Sequence, residues 1–138
     1  MPTLDRPGAS LHWRDVGRGA PVLLLHAFPL SGDMYRPQID AFSGRYRLLV
    51  PDLRGFGAST LTGAAAPTEM ATLAEDALAV LDAASASSAV VLGVSMGGYV
   101  AMALLRSHPE RVRSIARWAG PRRPRLWISA RATGTRPT

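Results

Sequence analysis

Short apolar runs, separated by turns rich in Gly and Pro, are the main pattern of the first 116 residues. The runs at 22–26 and 89–94 are continuous and the run at 46–53 is nearly so, which is typical of strands covered on both faces. A weaker alternation at 10–16 predicts an edge strand or a hairpin arm, and 112–116 begins a further strand. Together they predict a sheet whose central strands have no polar, solvent-facing side.

Two amphipathic stretches between the predicted strands indicate helices. Residues 33–42 predict a short helix, and residues 72–84 predict a longer one with its apolar side chains on one arc. Thr72 and Glu75 have the spacing of a capping box, which predicts that Thr72 caps this helix. The opposite arc is expected to face water, and its acidic members are Glu75, Asp76 and Asp82.

A third helix is predicted at 96–106, where the sequence is apolar almost all round. Such a helix is covered in a folded protein, so Tyr99 and Met102 are expected to be core residues. Residues 58–67 are mostly Ala, Thr, Gly and Pro and are interpreted as a loop. The alternation of strands and helices predicts an α/β fold, with a mostly parallel sheet and helices on both faces.

The composition excludes several kinds of chemistry. The 138 residues include no Cys and no Lys, since all 16 basic residues are Arg. This excludes thiol nucleophiles, disulfides and Cys-based zinc sites, as well as P-loop and Schiff-base lysines. A dinucleotide site is disfavoured because no G-x-G-x-x-G follows a strand, and neither a cofactor nor a metal is expected.

The net charge of +6 comes from the C-terminal segment. Residues 1–116 have ten Arg and ten Asp or Glu, whereas residues 117–138 have six Arg and no acidic residue. We therefore predict a folded part at 1–116 and a basic Arg/Pro-rich tail at 117–138 that is disordered or foreign to the fold. Pro121 and Pro124 support this boundary, because proline is excluded from central strands. A changed reading frame or a truncated gene near codon 116 would explain the abrupt shift in composition.

The uncharged stretch 83–105 is long enough to cross a bilayer. It contains four serines and three glycines, so a buried strand followed by a buried helix explains it better. The N-terminus carries acidic residues and has no early apolar run, so no signal peptide is predicted. The expected location is the cytoplasm, without a membrane partner.

Gly93-Val94-Ser95-Met96-Gly97 matches the pattern G-x-S-x-G where a predicted strand meets a predicted helix. A serine on such a sharp turn has a strained backbone, and small residues two positions away let the strand and the helix pass closely. The N-terminus of the helix that follows can hold developing negative charge. The pattern is short, so its position between a strand and a helix carries the argument.

Together with two further blocks, this motif resembles the α/β-hydrolase superfamily, and most of all its small bacterial esterases and enol-lactonases. The blocks are His26–Pro29, which is similar to a His-Gly-Phe-Pro loop with Ala27 in place of Gly, then Pro51–Ser59, and Val94–Ala103 running into His108–Val112. The likeness extends from about Ser10 to Ala116.

The resemblance implies an α/β-hydrolase fold, of which residues 1–116 are the N-terminal part. It implies a serine hydrolase that acts on a small ester or lactone. Ser95 would be the nucleophile that forms an acyl-enzyme. The backbone N–H groups of Phe28 and Met96 would form the oxyanion hole.

The other polar side chains near these motifs have structural interpretations. His26 is expected to be hydrogen-bonded within its loop rather than to act as a base. Asp52 and Arg54 are expected to brace the loop that follows their strand. His108, beside Pro109 at a helix end, is expected to be structural.

The partners of a catalytic serine are missing from the chain. The family's chain order is Ser, then Asp or Glu, then His. After Ser95 the only acid is Glu110 and the only histidine is His108, in the wrong order. The strands that carry both partners in the family, and the cap over the substrate, are absent. A serine without a base is a poor nucleophile, so this chain alone is expected to be nearly inactive.

Two other functions stay open. In the first, the chain is a non-catalytic fragment or subunit that another chain completes. In the second, the basic tail binds nucleic acid through its arginines, with Trp118 and Trp127 stacking on bases. The Pro and Gly among these arginines favour a solvated, disordered tail, so no nucleic-acid partner is predicted. The strand before Ser95 would lie at or near a sheet edge, which predicts self-association through that edge.

Overall fold

The computed structural model describes residues 2–63, 68–118 and 127–128. The strands are β1 (Thr3–Arg6), β2 (Ala9–Val16), β3 (Ala20–Leu25), β4 (Tyr46–Pro51), β5 (Thr60–Leu61), β6 (Ala89–Val94), β7 (Val112–Trp118) and β8 (Trp127–Ile128). The helices are α1 (Arg36–Phe42), α2 (Met70–Ala83) and α3 (Met96–Ser107), with 3₁₀ turns at Gly32–Tyr35 and Pro109–Arg111.

The described strands form one sheet in the order β1-β2-β4-β3-β6-β7-β8, with β5 paired to β2. The four central strands β4, β3, β6 and β7 are parallel to one another. The remaining strands pair antiparallel, as β1 with β2, β2 with β4 and β5, and β7 with β8. The predicted α/β class with a mostly parallel sheet is confirmed.

Helices cover both faces of the sheet, and β3 shows how the sequence encodes this. Leu23 and Leu25 point to the face on which α2 and α3 pack. Leu24 points to the other face, against Tyr35 and Ile39 of the first 3₁₀ turn and α1. All three leucines are buried, so an uninterrupted apolar run is the pattern that a doubly covered strand requires.

Most predicted elements are confirmed, with ends that move by a few residues. The run at 46–53 forms β4, which ends at Pro51, and the stretch 33–42 divides into a 3₁₀ turn followed by α1. The stretch 10–16 lies in β2, which is a hairpin arm with β1 and lies inside the sheet rather than at its edge. Within 58–67, interpreted as a loop, Thr60–Leu61 forms the short strand β5, and 64–67 lie outside the described residues.

The prediction that Thr72 caps α2 is wrong. The helix begins at Met70, and its N-cap residue, Glu69, makes no side-chain capping hydrogen bond. Thr72 already has a helical backbone, because its N–H donates to the carbonyl of Glu69 at 3.1 Å. The capping-box spacing is therefore present in the sequence without the helix terminus that would use it.

The prediction that Asp76 faces water is also wrong. Its side chain is buried in α2 and accepts two hydrogen bonds from Arg54, at 2.6 Å from Nε and 2.8 Å from Nη2. Arg6 Nε donates to the same carboxylate at 3.2 Å. This bonding raises the pKa of Arg54, and the pairing fastens the loop after β4 to α2.

The strand β7 continues through Arg117 and Trp118, the first two residues of the segment 117–138. Beyond it, β8 pairs with β7 at Ile115 and Ala116. Residues 119–126 and 129–138, with Pro121 and Pro124, lie outside the described residues, so the predicted division at residue 116 stays a prediction. Within the described ranges, no helix has the length and hydropathy that crossing a membrane requires.

Candidate active site

Ser95 is the one residue between the end of β6 at Val94 and the start of α3 at Met96. Its backbone has φ +52° and ψ −112°, a conformation that L-residues rarely adopt and that costs on the order of 1–3 kcal/mol. The turn is held from both sides, since the Ser95 N–H donates to the Trp118 carbonyl at 2.7 Å and its carbonyl accepts from the Gly98 N–H at 2.9 Å. The predicted strained strand–serine–helix turn is therefore present, with the serine exposed.

The glycines on either side of Ser95 are required by close backbone contacts. A Cβ atom on Gly93 would lie 2.3 Å from the carbonyl oxygen of Gly97. A Cβ atom on Gly97 would lie 2.1 Å from the carbonyl oxygen of Leu25. Backbone atoms cannot move aside as a flexible side chain can, so both positions admit only glycine. The steric argument made from the G-x-S-x-G pattern is confirmed.

The loop that follows β3 and the turn at Ser95 both lie at the carboxyl ends of the parallel strands. Leu25 pairs with Gly93 in parallel register, so the residues after each strand leave the sheet side by side. The Phe28 N–H donates to no described residue. Met96 is the first residue of α3, where an N–H has no acceptor within the helix. The N–H groups of Phe28 and Met96 are therefore two backbone donors at these strand ends that have no acceptor among the described residues.

A set of short contacts fixes the loop after β3. The buried Tyr35 hydroxyl donates to the Leu25 carbonyl at 2.7 Å, and burial raises the pKa of Tyr35, so the hydroxyl stays a donor. The Ala27 N–H donates to Met34 Sδ at 3.3 Å, and the Leu30 N–H donates to the Ala27 carbonyl at 2.8 Å. Ala27 has no positive φ, so alanine occupies this position without strain.

Asp52, at the end of β4, joins three segments through one buried carboxylate. Its Oδ1 accepts from the Gly32 N–H at 2.7 Å, and its Oδ2 accepts from the Ala58 N–H at 3.0 Å. His12 Nδ1 lies 3.2 Å from the same Oδ2. A Cβ atom on Gly57 would come within 2.4 Å of that oxygen, which explains a glycine there. The structural interpretation of Asp52, and with it that of Arg54, is confirmed.

Both ring nitrogens of His26 have hydrogen-bond partners, and their pattern is that of a neutral ring. Its ring is buried, with Nδ1 at 3.0 Å from the Ala27 carbonyl and Nε2 accepting from the Leu53 N–H at 2.9 Å. An acceptor at Nε2 and a donor at Nδ1 define the neutral Nδ1–H tautomer. Burial lowers the pKa of His26, against the opposing effects of the Ala27 bond and the Asp52 charge. The interpretation of His26 as a loop histidine is confirmed.

The other two of the three histidines also have positions away from Ser95. His108 Nε2 lies 2.9 Å from Glu75 Oε1 and its Nδ1 lies 3.6 Å from Glu110 Oε1, so it links the end of α3 to α2. His12 lies on β2 against Asp52. All three imidazoles therefore have a carboxylate or backbone partner, and none of these partners is Ser95.

Ser95 opens onto a shallow cleft of about 90 Å³. The lining residues are Ser95, Gly98, Tyr99, Arg117 and Trp118. Sequence reasoning missed the last three. Tyr99 was expected in the core but is 64% exposed. Residues i and i+4 of a helix share a face, so its spacing from Ser95 was the signal that could have placed it.

Arg117 and Trp118 reach the cleft through the register of the sheet. Gly93 pairs with Arg117 and Val94 pairs with Trp118, so both residues flank the turn at Ser95. That register needs the pairing of β6 with β7, which no local pattern reveals. Within the described ranges, no three His, Asp or Glu side chains are grouped as metal ligands.

Comparison with known proteins gives a family match over most of the chain. Residues 20–130 match the family described as alpha/beta hydrolase fold. The chain is 33% identical over 114 residues to bifunctional epoxide hydrolase 2 of Sus scrofa. It is 40% identical over 106 residues to the pimeloyl-[acyl-carrier protein] methyl ester esterase of Yersinia enterocolitica. A solved structure of an N-acyl homoserine lactone degrading enzyme superposes with a TM-score of 0.79 at 33% identity.

The match covers much more of this chain than of its relatives. It includes 82% of this chain and 20% of the porcine protein, and 76% of this chain and 38% of the Yersinia esterase. For the lactone-degrading enzyme the shares are 84% and 44%. The chain therefore spans less than half the length of each of these relatives.

Proposed function

The chain belongs to the alpha/beta hydrolase fold family, and from that premise we propose that it is the nucleophile-bearing part of a serine hydrolase. The observation that carries the proposal is the turn at Ser95, which has a strained backbone and an exposed side chain beside a cleft. Such strain persists where the surrounding structure imposes it, and it is frequent at catalytic residues.

The proposed chemistry is acyl transfer through a covalent intermediate. The Ser95 Oγ attacks a carbonyl carbon while its proton passes to a base, and the N–H groups of Phe28 and Met96 hold the negative oxygen that results. The alcohol leaves with that proton and an acyl-enzyme remains, which water then hydrolyses. The unused donors at Phe28 and Met96, at the same sheet edge as Ser95, support this assignment.

The substrate class proposed is a small ester or lactone. A serine hydroxyl is a nucleophile of acyl transfer, and two of the compared relatives are named for a methyl ester and for a lactone. The porcine relative is named for epoxides, a second class within the same family. A serine that opened an epoxide would be left as an ether, which water does not hydrolyse, whereas an acylated serine is an ester. Ser95 therefore favours the carbonyl substrates over the epoxides for this chain.

The base and its orienting acid are proposed to come from sequence outside these 138 residues. His12, His26 and His108 each have other partners. In a comparable serine enzyme, loss of the histidine alone lowers turnover on the order of 10⁶-fold. The isolated chain is accordingly proposed to be nearly inactive, as a fragment or subunit that a further segment or another chain completes.

The outer edge of β7 is the proposed place of completion. The strand before Ser95, expected at or near an edge, is β6, and it lies inside the sheet between β3 and β7. Among the described residues, β8 pairs with β7 at Ile115 and Ala116. A strand at a sheet edge offers N–H and C=O groups to another chain. We expect the isolated protein to self-associate, which sedimentation velocity over a range of concentrations would detect. A single monomeric species at every concentration would contradict this expectation.

Acyl trapping tests the assignment of Ser95 without needing turnover. The protein is incubated with p-nitrophenyl butyrate, with and without imidazole in the buffer as an external base, and its mass is then measured. We expect a butyryl adduct on the peptide that contains Ser95, formed faster with imidazole. The adduct should be absent from Ser95→Ala. An adduct of equal yield in that variant would overturn the assignment.

A further inference from the structure

Arg117 packs against Gly98 in the first turn of α3 and lines the cleft beside Ser95. A Cβ atom on Gly98 would lie 3.2 Å from Arg117 Cβ and 3.8 Å from its Cδ, so glycine at this position leaves room for the arginine side chain. Arg117 and Ser95 line the same cleft. A permanently charged residue that the proposed mechanism does not use therefore shares a cleft with the proposed nucleophile.

The guanidinium of Arg117 has a donor without an acceptor. Its Nε is buried and makes no hydrogen bond, and no ion pair joins Arg117 to any described carboxylate. Six of the described arginines are paired with Asp side chains, namely Arg6, Arg14, Arg36, Arg47, Arg54 and Arg111. Among the described arginines without an ion pair, Arg117 is distinguished by its buried, unpaired Nε. A buried donor without a partner is unfavourable, and it leaves the positive charge of Arg117 uncompensated. The terminal Nη groups are not among the buried unpaired atoms, and they are the donors that an anion in the cleft would meet.

The rest of the cleft sets the size and nature of a ligand. Tyr99 and Trp118, which are 64% and 43% exposed, supply aromatic side chains to the lining. The cleft that the described residues form, about 90 Å³, is well below the volume of a site for a drug-sized molecule, so it holds one small end group of a ligand. Arg binds a planar carboxylate through two parallel N–H···O bonds.

We propose that Arg117 is a specificity-determining residue that selects acyl groups bearing a free carboxylate, such as the half-ester of a short dicarboxylic acid. The carboxylate would lie on the Arg117 guanidinium while the ester carbonyl reaches Ser95. The role of the ester rests on the proposed function, whereas binding of the carboxylate to Arg117 does not. The two can therefore fail separately.

Monomethyl succinate and dimethyl succinate form a matched pair of probes, since one has the free carboxylate and the other does not. Each is titrated into the full chain carrying Ser95→Ala, which prevents hydrolysis. The Arg117 Nε–H resonance is followed by ¹⁵N NMR, and Arg117→Lys, which lacks Nε, assigns it. We expect the half-ester to bind at least about tenfold more tightly than the diester and to shift this resonance, the size of effect typical of a charged hydrogen bond.

Two further variants decide the outcome, with binding followed through the amide resonances. In Arg117→Gln the preference for the half-ester should disappear. In Arg113→Gln, which removes one positive charge from an exposed position on the same strand, it should remain. Equal binding of the two probes, or equal loss of the preference in both variants, would overturn the proposal. Failure of Ser95 to form an acyl adduct would overturn the proposed function and leave carboxylate binding unaffected.

Discussion

The strands β4 and β6 end at the same edge of the sheet, one on each side of β3, yet the residues after them are built in opposite ways. Asp52, after β4, is buried and has a partner for each carboxylate oxygen. Ser95, after β6, is exposed and strained, and its hydroxyl bonds to no described residue. The residue after β4 is fixed by side-chain hydrogen bonds, whereas the residue after β6 is fixed by backbone hydrogen bonds and close backbone packing.

This difference separates the parts of an active site that a fold can build locally from those it cannot. The geometry at Ser95 needs only two glycines, a parallel pair of strands and a helix start. The titratable side chains nearby, Asp52 and His26, are used to fix loops and have no free proton acceptor directed at Ser95. The proposed nucleophile is therefore positioned by the fold, and no described side chain activates it.

The largest expected effect comes from adding a methyl group at the turn. Gly97→Ala would place Cβ 2.1 Å from the Leu25 carbonyl oxygen, and neither backbone segment can retreat. We expect a loss of more than about 3 kcal/mol in the free energy of unfolding, measured by denaturant titration. Gly44→Ala is the control, since nothing lies within 4 Å of its added Cβ, and it should change stability by less than about 0.5 kcal/mol.

Removal of the buried Asp52 carboxylate should lower the free energy of unfolding almost as much as Gly97→Ala. Asp52→Ala leaves the N–H groups of Gly32 and Ala58 without their acceptor, at an expected cost of about 3 kcal/mol. Asp40→Ala removes an exposed carboxylate from α1 and should cost less than about 0.5 kcal/mol. Equal effects in the two variants would show that the Asp52 contacts do not stabilise the loops.

The strain at Ser95 predicts an increase in stability on mutation. Glycine adopts a positive φ freely, so Ser95→Gly should raise the free energy of unfolding by about 1 kcal/mol. Ser95→Ala removes the same hydroxyl but keeps a Cβ, so it should leave stability almost unchanged. If both variants melt at the same temperature as the parent, the turn is not strained.

The smallest expected effect is a pH dependence from His26. Its pKa is lowered by burial, so the unfolded chain binds a proton more readily than the folded one. The stabilisation is complete above the unfolded value of about 6.5 and is lost as the pH falls through the folded pKa. We expect the melting temperature to decline below pH 6.5, less steeply in His26→Asn. A His26 ring that titrates by NMR above pH 6.5 would contradict this.

The sequence was sufficient for the parts of the fold that depend on local chemistry. The doubly covered strand β3 and the turn at Ser95 follow from apolar runs and from the spacing of Gly93 and Gly97. Phe28 was placed only through the family resemblance, since its role uses a backbone N–H that no side-chain pattern marks. That assignment and those of Ser95 and Met96 stay proposals.

The errors arise where distant segments meet. Asp76 lies on the arc of α2 that was expected to face water, but Arg54 and Arg6 approach it from other elements. Tyr99 lies on an apolar helix but faces the cleft instead of the core. The pairing of β6 with β7 places Arg117 beside the cleft. In each case the tertiary contact, rather than the local pattern, decides the environment.

The most direct test of a positioned but unactivated nucleophile is the rate of p-nitrophenol release from p-nitrophenyl butyrate by the pure chain. Beyond the single equivalent released when Ser95 is acylated, we expect release at a rate close to that of the uncatalysed reaction and equal to that of Ser95→Ala, because all three imidazoles have their partners elsewhere. Repeated turnover that Ser95→Ala abolishes would contradict it, since a base would then have to be present within these 138 residues.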